Sequence, residues 1–179
     1  MGSIFKYIKD KVLVCADSEI HPECDVCGKS NVAVYETMGF PIRDDGTIDD
    51  DDEVVVACVA CFSAGKVARM GEASIEEFLK RNYPNWKQLL LELRKTPQIP
   101  YCAQEDDWAI CCNDLCEFIG VPESFDDLLN FIDSATYWTR GNDAFVRDFR
   151  QDGPPESLNE ISKFQCLECK RQYWIDQFT

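Results

Sequence analysis

Residues Trp108 to Gly120 read WAICCNDLCEFIG, with three cysteines, Cys111, Cys112 and Cys116, inside six positions. Thiols packed this densely close disulfides, hold metal or do redox chemistry, and the rest of the chain decides between these. Three more clusters follow the C-x-x-C form: Cys24 with Cys27, Cys58 with Cys61, and Cys166 with Cys169. Two thiolates separated by two residues at a tight turn can face one ion, and two such knuckles complete a tetrahedral four-sulfur site. The economical pairing is sequential. It puts Cys24, Cys27, Cys58 and Cys61 around one zinc, and Cys112, Cys116, Cys166 and Cys169 around a second. In the second set the spacing also lets Cys111 stand in for Cys112. A closed four-thiolate site has no open position for a substrate and is structural.

The disulfide reading fares poorly. The opening stretch, MGSIFKYIKDKVLVCADSE, has charges every few residues and no apolar core of a secretory signal. A cytoplasmic location is therefore expected, where thiols stay reduced, and the count of 11 cysteines is odd. Redox chemistry by a lone C-x-x-C needs an exposed thiol in an electropositive setting, which suits an acidic chain badly. The tight C-x2-C-x2-C run of iron–sulfur proteins is absent. The remaining cysteines, Cys15, Cys102 and Cys111, are expected to be small buried hydrophobes.

The charge balance narrows the function. With 33 Asp and Glu against 18 Lys and Arg, the formal net charge is −15. Phosphate backbones and anionic lipids need clustered cations, so direct binding to nucleic acid or membrane is not expected. The longest apolar run, VVVACVACF, is far below the roughly 20 residues of a membrane helix. A basic partner suits this chain. The densest acidic segment is RDDGTIDDDDE, residues 43–53, expected to be a mobile solvated hairpin loop. Its Asp49, Asp50, Asp51 and Asp52 are the candidate partner-binding residues. The single histidine, His21, is expected at the surface, and no activated serine is evident, so triad-type nucleophilic catalysis has little to work with.

Around the clusters the pattern is mixed. NVAVYETM, residues 31–38, alternates as a half-buried strand, and EVVVAC, residues 53–58, reads as a buried strand entering the second knuckle. Knuckle, two strands and knuckle together resemble a zinc ribbon. Ser74 and Glu77 have the form of a capping box, and Ser124 with Asp127 starts another helix. Trp86, Leu89, Leu90 and Leu93 share one helical face, as do Phe125, Leu128, Leu129 and Ile132. RGNDAFVRDFRQDGPPESLNE reads as a short helix and a polar loop, and KFQCLECKRQYWID as strand, knuckle turn and returning strand. The expected fold class is α+β, one compact domain over residues 1–179. Its zinc ribbon-like part spans about 20–70, and a helical part with the second zinc site spans about 74–179.

These residues resemble the CbrC-like family of small bacterial proteins over nearly the whole chain. Trp108, Cys112, Cys116, Phe118 and Gly120 are similar to its central motif, and Lys95-Thr96-Pro97 to its Arg-Thr-Pro element. Cys58, Cys61 and Gly65 are similar to its Cys-Pro-Trp-Cys-x-x-x-Gly element, while Phe5-Lys6-Tyr7 and FQCLECKRQYWID resemble its ends. Val59-Ala60 replaces the family's Pro-Trp, Cys111 stands where its His precedes the first central cysteine, and Ile8-Lys9 replaces His-Pro, as in a divergent member. The resemblance favours Cys112 over Cys111 as ligand. It implies a link to colicin tolerance and to immunity genes beside bacterial toxins. The resulting expectation is an acidic, two-zinc immunity or tolerance protein, not an enzyme, that neutralises a basic protein toxin by direct binding. The alternatives are a cytoplasmic regulatory or scaffold zinc protein without a toxin partner and, third, a thiol redox enzyme working through Cys15 or Cys102.

Overall fold

In the computed structural model, described for residues 1–99, 107–140 and 146–177, the chain forms two compact units. One is Leu13–Gln98; the other joins Met1–Val12 to Ile99–Thr179. Each is a mixed helix-and-sheet unit. The boundary expected near residues 70–74 is not where the units part, because two helices after residue 70 pack with the first ribbon.

In Leu13–Gln98 the apolar run VYETMGFP forms β1 (Val34–Pro41) and VVVAC forms β2 (Val54–Cys58). A short helix α1 (Val59–Ser63) follows, then β3 (Val67–Arg69). The sheet order is β2-β1-β3, all antiparallel. Val34 lies opposite Cys58 and Glu36 opposite Val56, and the register then slips so that Gly39 meets Val54. A Cβ on Gly39 would sit 2.0 Å from the Ala68 carbonyl oxygen, so only glycine lets β3 approach here.

Two amphipathic helices complete this unit: α2 (Glu72–Asn82) buries Glu72, Ile75 and Leu79, and α3 (Trp86–Arg94) buries Leu89, Leu90 and Leu93. The helix expected to start at Ser74 begins two residues earlier. Gly71, at φ 70°, holds the N-cap position, and the capping box expected at Ser74 lies inside the helix. The reason is tertiary. The Arg94 guanidinium takes the Glu72 carboxylate in a fork, with Nη2–Oε1 at 2.6 Å and Nε–Oε2 at 3.0 Å, and this pair ties α2 to α3. Buried Arg69 donates from Nη2 to the carbonyls of Thr96 and Pro97, at 2.7 and 3.1 Å, satisfying acceptors just beyond the α3 C-terminus. The Thr-Pro element therefore has a structural job.

In the other unit, Cys111 ends β4 (Ile110–Cys111), which turns tightly into β5 (Asp114–Leu115). Next come β6 (Glu117–Gly120), α4 (Phe125–Ile132), β7 (Thr136–Tyr137) and α5 (Phe149–Asp152). The chain closes with β8 (Ile161–Gln165) and β9 (Gln172–Asp176). The larger sheet has the order β6-β8-β9-β7, with β7 parallel to β9 and the other pairs antiparallel. As expected, Ser124 caps α4, its hydroxyl accepting from the Asp127 amide. Leu128, Phe149, Ile161 and Trp174 form a buried cluster with Phe125, Leu129 and Ile132 packed against it. Fully burying each of the four contributes about 1.5–3 kcal/mol. The N-terminal segment joins this sheet: Phe118 N–H donates to the Tyr7 carbonyl at 2.7 Å and Lys9 N–H to the Phe118 carbonyl at 3.0 Å. Among the described residues, no helix is long and apolar enough to cross a membrane.

Candidate metal centres

The sulfurs of Cys24, Cys27, Cys58 and Cys61 all lie within 4.8 Å of one another, three of the residues buried and Cys27 exposed. The first knuckle is a turn in which Gly28, at φ 63°, donates its amide to the Cys24 carbonyl at 2.8 Å. Asp25 docks this turn on β2, its Oδ2 accepting from the Val55 and Val56 amides, both at 2.8 Å. The second knuckle is the end of β2 running into α1. Its Cys58 amide donates to the Cys24 sulfur at 3.2 Å. The Cys24–Cys61 and Cys27–Cys58 sulfur separations are 3.8 and 3.9 Å. Four thiolates about 2.3 Å from a central ion form a tetrahedron with edges of about 3.8 Å. The spacing fits one ion of that size.

Burial pushes the thiols of Cys24 and Cys61 up from the ordinary value, and neighbouring thiols push Cys61 further. At Cys58 burial also pushes upward, but the Cys61 amide and the surrounding thiols outweigh it and leave this thiol lowered. Four protons cannot leave this pocket without a cation to balance the charge. A cleft of 630 Å³ borders Cys27 and Cys61, and Lys29, Arg43 and Lys66 line it. His21 is not among the four ligand candidates.

The second cluster corrects the sequence reading. The four sulfurs within 4.8 Å of one another are those of Cys111, Cys112, Cys166 and Cys169; Cys116 is not in the group. The cause is the β4–β5 turn. Cys111 pairs with Asp114, leaving a two-residue loop of Cys112 and Asn113, both left-handed at φ 53° and 59°. Such a loop is a type I′ hairpin turn. It holds Cys111 and Cys112 together at the tip, with sulfurs 3.7 Å apart. Cys116, past the returning strand, is fully buried. Its amide donates to the Ala109 carbonyl at 2.9 Å, and its carbonyl accepts from the Trp108 indole at 2.8 Å. Asn113 is the one turn-forming residue in this loop, and nothing in the cysteine spacing shows that Cys112 takes the other left-handed position.

Cys166 and Cys169 come from the β8–β9 turn, closed by the Cys166 amide on the Arg171 carbonyl at 2.9 Å and by Lys170 at φ 62°. The Cys111–Cys169 sulfur separation is 3.6 Å, and the Tyr173 hydroxyl donates to the Cys111 sulfur at 3.0 Å. Neighbouring Cys111 and Cys169 push the Cys112 thiol up to about 12, whereas the Arg171 amide first, then Cys166 and Cys111, lower Cys169 to about 7. Only Cys166 of this set is buried; Cys112 and Cys169 are exposed.

The other expected residues are spread more widely. Cys15 is exposed rather than buried, and Cys102 lies outside the described residues. Asp49 is half-buried and held by Arg43, Nη2 to Oδ2 at 2.6 Å, while Asp50, Asp51 and Asp52 are exposed. The acidic segment is itself a small hairpin, with an Ile42–Ile48 bridge and the Arg43 amide on the Thr47 carbonyl at 2.9 Å. Asp44, in its turn, pairs with Lys66.

Residues 3–177 match the model of a family described as the uncharacterised protein family UPF0167. No curated protein and no solved structure matches the chain.

Proposed function

The chain belongs to the UPF0167 family, and on that premise we propose that it is a zinc-stabilised acidic protein that acts by binding a basic partner. One observation carries this reading: eight cysteines sort into two groups of four, each with tetrahedral sulfur spacing. Thiolates are soft ligands, and a four-sulfur tetrahedron is a zinc or iron–sulfur geometry. The turns at Cys24–Cys27 and Cys166–Cys169, each followed by a left-handed residue, have the form of zinc knuckles, which favours zinc. Four protein ligands leave no position for substrate or water, so both ions are structural. Cys24, Cys27, Cys58 and Cys61 hold one; Cys111, Cys112, Cys166 and Cys169 hold the other.

What remains for function is the surface. Each four-thiolate zinc site carries about −2, so two loaded sites take the net charge from −15 to about −19. A surface of one sign accelerates encounter with an oppositely charged protein and fixes its orientation. The CbrC-like resemblance, with its link to colicin tolerance, supports a basic toxin as that partner, neutralised by direct contact. The test is protection. Cells producing a toxin encoded beside this chain should survive when the chain is co-produced, and the two proteins should copurify. Survival without a complex, or a complex equally stable at high and low salt, would contradict the proposal.

A further inference from the structure

The two centres are unequal. In the first, three of four thiols are buried, an amide covers the Cys24 sulfur, and the knuckle is fastened to a strand by Asp25. In the second, two thiols face solvent, and two of the four sit on a hairpin whose strands are two residues each. We infer that the second centre is an oxidation site, at which a peroxide joins Cys169 to Cys111 and expels that centre's metal ion. This rests on the two-zinc reading above.

Geometry selects the pair. The Cys111 and Cys169 sulfurs lie 3.6 Å apart on two separate turns. Cys111 and Cys112 are nearly as close, but joining sequence neighbours closes a strained eight-membered ring around the intervening peptide. The Tyr173 hydroxyl engages the Cys111 sulfur and blunts it, while Cys169 is open to solvent. Within the facing pair of Cys111 and Cys169, the open Cys169 is attacked first, since susceptibility follows exposure. Its sulfur gives an electron pair to one peroxide oxygen, the O–O bond breaks, and hydroxide leaves to become water, forming a sulfenic acid. The Cys111 thiolate then attacks that sulfur, the S–O bond breaks, and a second hydroxide leaves as water. Two sulfurs have lost two electrons, one peroxide has become two waters with two solvent protons, and the ion has lost two of its four ligands.

The test uses the intact zinc-loaded chain without reductant. Hydrogen peroxide is added in modest excess, and freed zinc is read with a chromogenic chelator while disulfides are mapped by mass spectrometry. One zinc per chain should leave at least about tenfold faster than the other, alongside a Cys111–Cys169 linkage, and reductant plus zinc should restore both. Equal release rates, earlier oxidation of Cys24, Cys27, Cys58 or Cys61, or a disulfide ending at Cys116 would overturn the inference while leaving the two-zinc reading intact. A chain that holds no zinc before peroxide is added would overturn both.

Discussion

At the residue scale, the informative contrast is between two cysteines five positions apart. Cys111 is at the tip of a hairpin among three other sulfurs, and Cys116 is sealed in the core. Cys111→Ser should therefore leave one zinc per chain, whereas Cys116→Ala should keep both and cost only the packing of one small buried side chain. Elemental analysis of the two variants separates the sets. The reverse outcome would restore Cys116 as ligand. Acid should act in a defined direction. Cys24, Cys61, Cys111 and Cys112 are raised above the ordinary thiol value, so at neutral pH they are protonated until metal displaces the protons. Zinc binding releases protons, and chelator competition should show apparent affinity falling by at least about tenfold per pH unit as pH drops. The sequence spacing made two sets of four cysteines legible, and seven of those eight cysteines fall in the two observed clusters. The eighth depended on whether CCND was a knuckle or a two-residue hairpin turn, and backbone torsion rather than cysteine spacing decides that.

At the scale of elements, Ser124 and Ser74 looked alike in sequence and are used differently. Ser124 accepts from the Asp127 amide at the start of α4, so Ser124→Ala should lower stability by about 1 kcal/mol in denaturant unfolding. A negligible change would show that the cap carries no weight there. Ser74 lies inside α2 because Glu72, two residues upstream, is drawn into a buried fork with Arg94. Glu72→Ala would leave that guanidinium without its carboxylate and should cost about 3 kcal/mol, with far-UV helicity falling as α2 and α3 separate. Local capping signals were legible; the long-range pair that overrides one of them was not, since its partners are 22 positions apart. The strands flanking each knuckle, by contrast, followed directly from alternation and β-branched runs, as at β2 and β8.

At the scale of the whole molecule, each compact unit carries one four-cysteine group and its own sheet. The expected division placed α2 and α3 with the second centre, because composition alone does not show that Glu72 and Arg69 tie them to the first. The proposed function rests, at this scale, on charge. Replacing Asp50, Asp51 and Asp52 by Asn, together with the Arg43-bound Asp49, should slow association with the proposed basic partner and flatten its salt dependence while zinc content stays the same. Stopped-flow association kinetics at two ionic strengths checks this, and unchanged kinetics would move the binding face elsewhere. Beneath all of these lies metal content, and the most direct measurement is elemental analysis of untagged, reduced chain. About two zinc ions per chain and negligible iron are expected. A folded chain holding no zinc, or a single zinc with all eight thiols of the two groups free, would contradict this expectation.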